Sequence, residues 1–203
     1  MTPRFALAVS VLILVVIIFF TETLSRYQQA NMAAERHART LAFATELRAR
    51  SDRELNAVLY LASGIVGYLV VRHQHLDPEE INRILSVIYT YGRHIRNFTI
   101  AVGQRISYVY PLQGNEQVIG QDYSEISAQW PAIKSAIEQK KTLLTGRVEL
   151  LQGGAALIYR EPILIDGNTW GLLSTVVDLP SFQQAAFRDV DNDHFEFAIR
   201  TEG

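Results

Sequence analysis

The chain has 203 residues, of which 48% are hydrophobic and 20% are charged, and its formal net charge is −2. This length suits one domain with a well-formed core and an attached segment. The near-neutral charge, without a Lys/Arg-rich stripe, argues against nucleic acid as a partner. The absence of cysteine excludes disulfides and thiolate metal sites.

The chain begins with an apolar leader. The run FALAVSVLILVVIIFF, from Phe5 to Phe20, carries no charge and spans roughly 24 Å as a helix, so residues 1–24 together can cross a bilayer. A cleavable signal peptide has a shorter apolar core and small residues at the cleavage site, whereas this run ends in FFTETLS. We therefore predict an uncleaved transmembrane anchor at residues 1–24, with a signal peptide as the alternative. Arg4 precedes the run, and the positive-inside tendency places the remaining chain outside the cytoplasm.

Residues 25–76 are predicted to form one long stalk helix. The segment contains no proline, and its first glycine is Gly64. Apolar residues recur at steps of three and four from Leu55 to Leu69, which is typical of one buried helical face. The alternative is two helices separated near Arg50 to Asp52.

A second helix is predicted in LDPEEINRILSVIYTYG. Asp77 is suited to cap its start, Pro78 occupies the first turn, Glu80 completes a capping box and Gly92 ends it. The predicted buried face consists of Ile81, Ile84, Leu85 and Ile88.

The rest of the chain is rich in strands and short turns. RNFTIAV and RISYVYPL form a predicted hairpin across Gly103-Gln104. The turn-rich excursion QGNEQVIGQDYSEISAQ and a short helix in WPAIKSAIEQKKT follow. Three more strands are predicted at 147–151, 156–165 and 170–178, then a short helix at 179–187 and a final β-rich run in HFEFAIR.

This order of elements predicts the fold class. Short turns between strands favour antiparallel pairing, and helices interspersed with five strands suit one sheet with helices packed against it. We predict an α+β chain in which a transmembrane helix and a long stalk helix precede a PAS-like antiparallel five-stranded sheet with flanking helices. The PAS-like lobe is predicted to span residues 77–188.

Arg160 is the candidate binding residue that follows from the residues alone. It stands beside Glu161 in the middle of the strand ALIYREPILI, and strand neighbours point to opposite faces that are both largely apolar. A buried guanidinium requires a partner and fits a carboxylate or phosphate with two parallel hydrogen bonds. We predict that Arg160 binds an anionic small molecule, such as an organic acid or an amino acid. The alternatives are an internal pair with Asp122, Glu125 or Glu149, and a solvent-facing position.

Other side chains in the sequence are also candidates for ligand or metal binding. Tyr108 and Tyr110 share one face of a strand, so we predict that they contribute rings and hydroxyl groups to a pocket, core packing being the alternative. His73 and His75 supply two nitrogens, fewer than a zinc site requires. DVDNDHFEFAIR has His194 and Arg200 where a calcium loop needs Gly and Glu, so an acidic turn is predicted there. We therefore predict no metal and no cofactor.

Several segments resemble the CHASE domain, the extracytoplasmic sensory domain of bacterial histidine kinases, diguanylate cyclases and plant cytokinin receptors. They are YVYPLQGNEQVIGQDY, TLLTGRVELLQGGAALIYREPIL and WGLLSTVVDL. The resemblance implies a ligand-binding lobe, a membrane-proximal lobe of which residues 189–203 are the start, and a cytoplasmic output module beyond Gly203. A free-standing remnant is the alternative.

The resemblance also implies site residues. In cytokinin receptors a threonine two residues before the strand's proline helps to bind the ligand, and Arg160 occupies that position relative to Pro162. An aspartate in the excursion also serves there, and Asp122 is its match. A guanidinium in place of a hydroxyl implies a ligand other than a cytokinin.

The predicted function is periplasmic small-molecule sensing by a receptor in the bacterial inner membrane. The receptor is predicted to control a diguanylate cyclase or a histidine kinase and to act as a homodimer through the stalk helix. No nucleophile elbow, Walker loop or zinc-protease motif occurs in the sequence, so this chain is predicted not to be an enzyme. The alternatives are a non-sensory module that docks on another envelope protein and a secreted enzyme behind a cleaved leader.

Overall fold

The computed structural model describes residues 3–150, 153–188 and 190. The chain divides into two compact units, residues 1–49 and 50–203. The first unit is helical. Surface ion pairs one turn apart, Arg26 with Glu22 and Arg39 with Glu35, accompany its helix.

Helix α1, Pro3–Arg72, is continuous, and the alternative break near residues 50–52 is not present. In the second unit its buried side chains are spaced three and four residues apart, as the sequence predicted: Val58, Ala62, Ile65 and Leu69. The helix ends at Arg72, four residues before the predicted end at 76, and the His75 amide closes a turn on the Arg72 carbonyl at 2.8 Å.

Helix α2, Pro78–Tyr91, begins and ends where its signals predicted. The Asp77 carboxylate accepts a hydrogen bond from the Glu79 amide at 3.0 Å, and the Gly92 amide donates to the Ile88 carbonyl at 2.9 Å. Glu80 differs from the predicted capping box, because its carboxylate pairs with Arg72 at 2.7 Å instead of with the start of its own helix.

Five antiparallel strands form one sheet in the order β2-β1-β5-β4-β3. Their bounds are β1 Ile95–Val102, β2 Arg105–Tyr110, β3 Leu143–Glu149, β4 Ala155–Ile165 and β5 Asn168–Asp178. Strand β3 begins four residues before the predicted start at Arg147, because Lys140 adopts a left-handed conformation and Leu143 then pairs directly with Arg160. The predicted α+β fold with a five-stranded antiparallel sheet is confirmed.

The two faces of the sheet have different covers. One, the helix face, packs against α1, α2 and a helix at Leu179–Ala186 (α4) through Phe98, Ile100, Tyr159, Ile163, Leu173 and Val177. The other, the loop face, packs against the excursion and a helix at Trp130–Gln139 (α3) through Ala101, Ile106, Val109 and Leu172. Because side chains alternate along a strand, adjacent residues of β4 contribute to different faces.

The remaining described elements are short. The excursion holds two 3-10 turns, Glu116–Val118 and Tyr123–Glu125, and leads into α3, Trp130–Gln139. Helix α4, Leu179–Ala186, begins at the predicted residue and ends one residue before the predicted end at 187, and Asp178 caps its start. The predicted acidic turn, the final β-rich run and the start of a membrane-proximal lobe fall in residues 189–203, which lie outside the described residues except for Val190.

Candidate ligand-binding site

Arg160 lies in the middle of β4, between Leu143 of β3 and Ser174 of β5. The alternation of the strand directs its side chain to the loop face, under the excursion, and sends Glu161 to the helix face. The residue is only 1% exposed and is among the largest fully buried side chains of the described residues. The solvent-facing alternative is therefore wrong.

The Arg160 guanidinium is held by neutral groups. Its Nη1 donates to the Thr145 hydroxyl at 2.5 Å, and its Nη2 donates to the Gln129 side-chain oxygen at 2.6 Å. Its Nε has no hydrogen-bond partner among the described residues. Two of its five N–H groups thus have neutral acceptors, and no described carboxylate is bonded to it.

None of the three internal carboxylate partners considered from the sequence bonds to Arg160. Asp122 accepts hydrogen bonds from the amide and hydroxyl of Ser124, at 2.9 and 2.6 Å. Glu149 pairs with Arg147 at 2.8 Å on the surface, and Glu125 is exposed. The internal ion pair is therefore not formed in the part of the chain that the structure describes.

Burial without a counter-charge is costly for Arg160. Removal from water lowers the pKa of its guanidinium to about 10, and the nearby Tyr123 opposes this effect only in part. This decrease from the ordinary pKa of an arginine corresponds to roughly 3 kcal/mol of free energy. A partner that restores the charge balance would recover this free energy.

A cavity of about 60 Å³ adjoins this guanidinium on the loop face. Since a single water needs ~10–15 Å³, the cavity has room for several groups the size of a water molecule. Its polar wall residues are Asn97, Thr99, Gln121, Tyr123, Gln129, Arg160 and Ser174. The rest of the lining is mainly apolar and includes Ile106 and Ile158.

Tyr123 joins the excursion to the sheet beside the cavity. Its hydroxyl and the Ser174 hydroxyl are hydrogen-bonded at 2.9 Å, and both residues are buried. Burial raises the pKa of the Tyr123 phenol, so the ring stays neutral at ordinary pH. The pair fixes the excursion over the strand position next to Arg160.

Two side-chain amides complete the polar wall. Asn97 donates to Asn115 Oδ1 at 2.9 Å, and Gln121 donates to the Gln117 carbonyl at 2.8 Å. The oxygens of both amides, Asn97 Oδ1 and Gln121 Oε1, are buried without a partner among the described residues. The cavity is thus bordered by a guanidinium and by two acceptors that lack a donor.

The two tyrosines proposed from the sequence do not join Arg160. Tyr108 and Tyr110 lie on the helix face, where both pack against the core beneath α1 and α2. The Tyr110 ring meets the Tyr89 ring edge-on, with centroids 5.5 Å apart. The sheet separates both tyrosines from the cavity beside Arg160, and their role in ligand binding stays a prediction that this cavity does not support.

Asp122 is near the cavity but does not line it. Hydrogen bonds from the Ser124 hydroxyl and then from its amide lower the pKa of the Asp122 carboxyl, so it is ionised and already paired. Its neighbours Gln121 and Tyr123 do line the cavity. Asp122 therefore does not contact the cavity itself but caps the segment that forms this part of its wall.

Several polar wall residues were not identified from the sequence. Asn97 is a polar residue inside the apolar strand RNFTIAV, and Ser174 interrupts the apolar strand WGLLSTVVDL. A polar residue within an apolar strand indicates a buried group that needs a hydrogen-bond partner, so both positions could have been found from the sequence. Gln129 carries no such signal, because an amide before a helix is ordinary surface chemistry.

A larger cavity, of about 770 Å³, opens on the helix face between α1, β3, β4 and α4. Its lining is mostly apolar and includes Leu55, Leu144, Leu157 and Phe182. Of its two charged lining residues, Asp52 and Arg147, the latter is exposed and paired with Glu149. The cavity also borders Phe187, close to where the described residues end. Chemistry therefore favours the smaller cavity beside Arg160 as the specific site.

Glu161 connects the same strand to the long helix on the opposite face. Its carboxylate accepts a hydrogen bond from the Ser63 hydroxyl of α1 at 3.2 Å. Partial burial raises the pKa of this carboxyl, and hydrogen bonds from Ser63 and Tyr159 offset the rise in part. Adjacent residues of β4 thus contact the cavity on one face and α1 on the other.

Comparison with solved structures shows the fold of sensory domains. An extracellular ligand binding receptor from Desulfohalobium retbaense is 21% identical, with a TM-score of 0.53, over 70% of this chain and 27% of that one. The ligand binding domain of the Pseudomonas aeruginosa amino acid chemoreceptor PctC, in complex with GABA, is 14% identical, with a TM-score of 0.52, over 70% of this chain and 65% of that one. That of PctB, in complex with L-Arg, is 14% identical, with a TM-score of 0.50, over 68% and 55%.

This chain therefore spans 27% to 65% of the length of these three structures. No curated protein matches the sequence. The CHASE domain family matches residues 20–202, which is most of the chain. The family predicted from the strand and turn segments is thus confirmed, and this chain belongs to the CHASE domain family.

Proposed function

We propose that this chain senses a small molecule carrying a carboxylate outside the cytoplasm, and that Arg160 is the residue that anchors the ligand. The observation that carries the proposal is a guanidinium that is 1% exposed and bonded to no carboxylate among the described residues. A buried charge without a counter-charge lowers the stability of the fold. Ligand binding explains why the protein keeps an arginine at this position.

A carboxylate is the ligand group that fits Arg160 best. The planar fork of a guanidinium binds two oxygens of one carboxylate through parallel, charge-assisted hydrogen bonds. Nε has no partner, and Nη1 and Nη2 have neutral partners on half-buried residues that water can satisfy. An entering carboxylate therefore replaces weaker bonds with stronger ones.

The comparisons support a small acid or amino acid as the ligand. PctC is described with GABA and PctB with L-Arg, and both ligands carry a carboxylate. Their low sequence identity shows a shared fold alone, so the ligand assignment for this chain rests on Arg160 and its cavity.

We further propose that the receptor is fixed in the bacterial inner membrane by residues 1–24. Among the described residues, α1 is the one helix long and apolar enough to cross a membrane. Its large apolar side chains from Leu12 to Phe20 are all exposed, which suits contact with lipid. The 25–76 stalk is proposed to pair in a homodimer, and the lobe at 77–188 to control a histidine kinase or diguanylate cyclase output.

Strand β4 offers a route from the ligand to this helix. A ligand that draws Arg160 towards the cavity also moves its neighbour Glu161, which is hydrogen-bonded to Ser63 of α1. A small shift of the strand thereby changes the packing of the long helix, which is the kind of two-state element that a ligand can bias.

The test is calorimetric titration of the full chain in detergent with acetate, propionate, butyrate, succinate, glycine, β-alanine, GABA and L-arginine. At least one of these probes is expected to bind. Arg160→Met is expected to weaken its binding at least about thirtyfold, since loss of one partner of a buried charged pair costs about 2–5 kcal/mol.

Arg147→Met is the matched control, because Arg147 is an exposed arginine in the same sheet; its affinity is expected to equal that of the wild type. Wild-type affinity in Arg160→Met, or no binding of any probe to the wild type, would contradict the proposal.

A further inference from the structure

Two residues that line the cavity beside Arg160 carry buried side-chain oxygens to which no described residue donates a hydrogen bond. Asn97 Oδ1 and Gln121 Oε1 each lack a hydrogen-bond partner among the described residues, although both side chains line the cavity. A buried polar atom without a partner costs about 1–3 kcal/mol, so each is expected to find a donor in the functional state.

Both amides are held in one orientation by their neighbours. The Asn115 amide nitrogen donates to the Pro111 carbonyl at 2.9 Å, so Asn115 presents its oxygen to Asn97. Asn97 must therefore use its nitrogen in that contact and keep its oxygen free. The Gln121 nitrogen is likewise committed to the Gln117 carbonyl at 2.8 Å. Rotation of either amide would place two acceptors against each other.

The acceptors lie at a distance from the guanidinium that a ligand can span. Asn97 pairs with Val176, and Val176 pairs with Ile158, which precedes Arg160 by two residues on the same face. Two strand spacings across the sheet and two residues along the strand together separate the Cα atoms of Asn97 and Arg160 by roughly 12 Å. Both residues line the same cavity.

We infer that the ligand is an amino-carboxylate, whose carboxylate binds Arg160 and whose N–H donors bind Asn97 Oδ1 and Gln121 Oε1. This inference rests on the function proposed above and narrows its ligand class. A plain organic acid would satisfy the guanidinium and leave both acceptors without a donor. No described carboxylate lines the cavity, so amide oxygens are the groups that select the nitrogen end of the ligand.

The experiment compares matched pairs of probes that differ by one amino group. Acetate is paired with glycine, propionate with β-alanine and butyrate with GABA, and each is titrated calorimetrically into the full chain in detergent. The amino member of at least one pair is expected to bind at least about tenfold more tightly, because hydrogen bonds from a charged donor are worth about 1.5–3 kcal/mol. Succinamate, which carries an amide N–H, distinguishes an amide donor from an ammonium donor.

Two variants test which residues cause the preference. Asn97→Leu and Gln121→Met each remove one acceptor, and each is expected to reduce the preference for the amino member of the pair to a few-fold. Gln121 is the more tolerant site, since it lies half-buried in the excursion, so it keeps the test valid if Asn97→Leu fails to fold. Gln139→Met, at an exposed helix position, is the control.

The possible results distinguish the inferred amino-carboxylate preference from the proposed carboxylate-binding function. Equal or weaker binding of the amino member in every pair would overturn this inference. The carboxylate site would stand in that case if Arg160→Met weakens binding as predicted above. A preference that survives both acceptor variants would also overturn it. If no probe binds at all, the proposed function fails and this inference fails with it.

Discussion

Replacing Arg160 with methionine is expected to stabilise the ligand-free protein, although the change removes two hydrogen bonds. The guanidinium is almost fully buried, and burial lowers its pKa to about 10, which corresponds to roughly 3 kcal/mol of unfavourable free energy. Methionine has a similar length and no charge, so it fills the same space without this cost. Thr145 and Gln129 lose a donor but are half-buried, and water can replace that donor.

The expected gain in unfolding free energy is about 1–3 kcal/mol, within the range found when buried charges are replaced by apolar side chains. Urea unfolding of the full chain in detergent measures it, followed by the fluorescence of Trp130 and Trp170, which both lie in the second unit. Arg147→Met, the exposed control, is expected to change stability by less than about 0.5 kcal/mol.

The refuting result is a loss of stability. If Arg160→Met destabilises the ligand-free protein by more than about 1 kcal/mol, the guanidinium has a favourable internal partner. Its burial would then be explained by structure and not by a ligand.

Three further predictions concern the surroundings of the site. Glu161→Gln is expected to remove a pH dependence of stability, because the pKa of this carboxyl is raised in the folded protein. The wild type therefore loses stability as the pH rises from the ordinary pKa of a glutamate through the folded pKa. The urea midpoints of the wild type and of Glu161→Gln, measured from pH 4 to 8, should agree only at the acidic end. Tyr123→Phe is expected to lower the unfolding free energy by about 1–2 kcal/mol, because it leaves the Ser174 hydroxyl buried without its partner; an unchanged urea midpoint would count against that bond. Gly171→Ala is expected to destabilise by about 1–3 kcal/mol or more, because the added Cβ would lie 2.2 Å from the Ala101 carbonyl oxygen; a thermal melt equal to the wild type would show that the two strands can separate at little cost.

Elements with local signals could be predicted from the sequence. Asp77, Pro78 and Gly92 fix both ends of α2 because caps act through hydrogen bonds within a few residues. The β1-β2 hairpin follows from Gly103, which adopts a positive φ of 61°. The start of β3 was placed too late, because the pairing of Leu143 with Arg160 is a contact between distant parts of the chain.

The candidate site was only partly predictable for the same reason. Alternation along β4 indicated that Arg160 or Glu161 points inward, and Arg160 is in fact buried. Which face of β2 the excursion covers depends on strand order and on a register shift between Ile100 and Ala101, neither of which the sequence reveals. Tyr108 therefore lies on the helix face, opposite the cavity.

The direct test of ligand binding by Arg160 is the resonance of its Nε–H group in the full chain, labelled with ¹⁵N-arginine in detergent micelles. Among the described residues, Arg160 is the one arginine that is buried, so its Nε–H should exchange slowly with water and should be the signal that Arg160→Met removes. Saturation with the tightest-binding amino-carboxylate is predicted to shift this resonance, as expected for a new bond to a carboxylate. A bound ligand that leaves the Arg160 resonance unmoved would contradict the proposal.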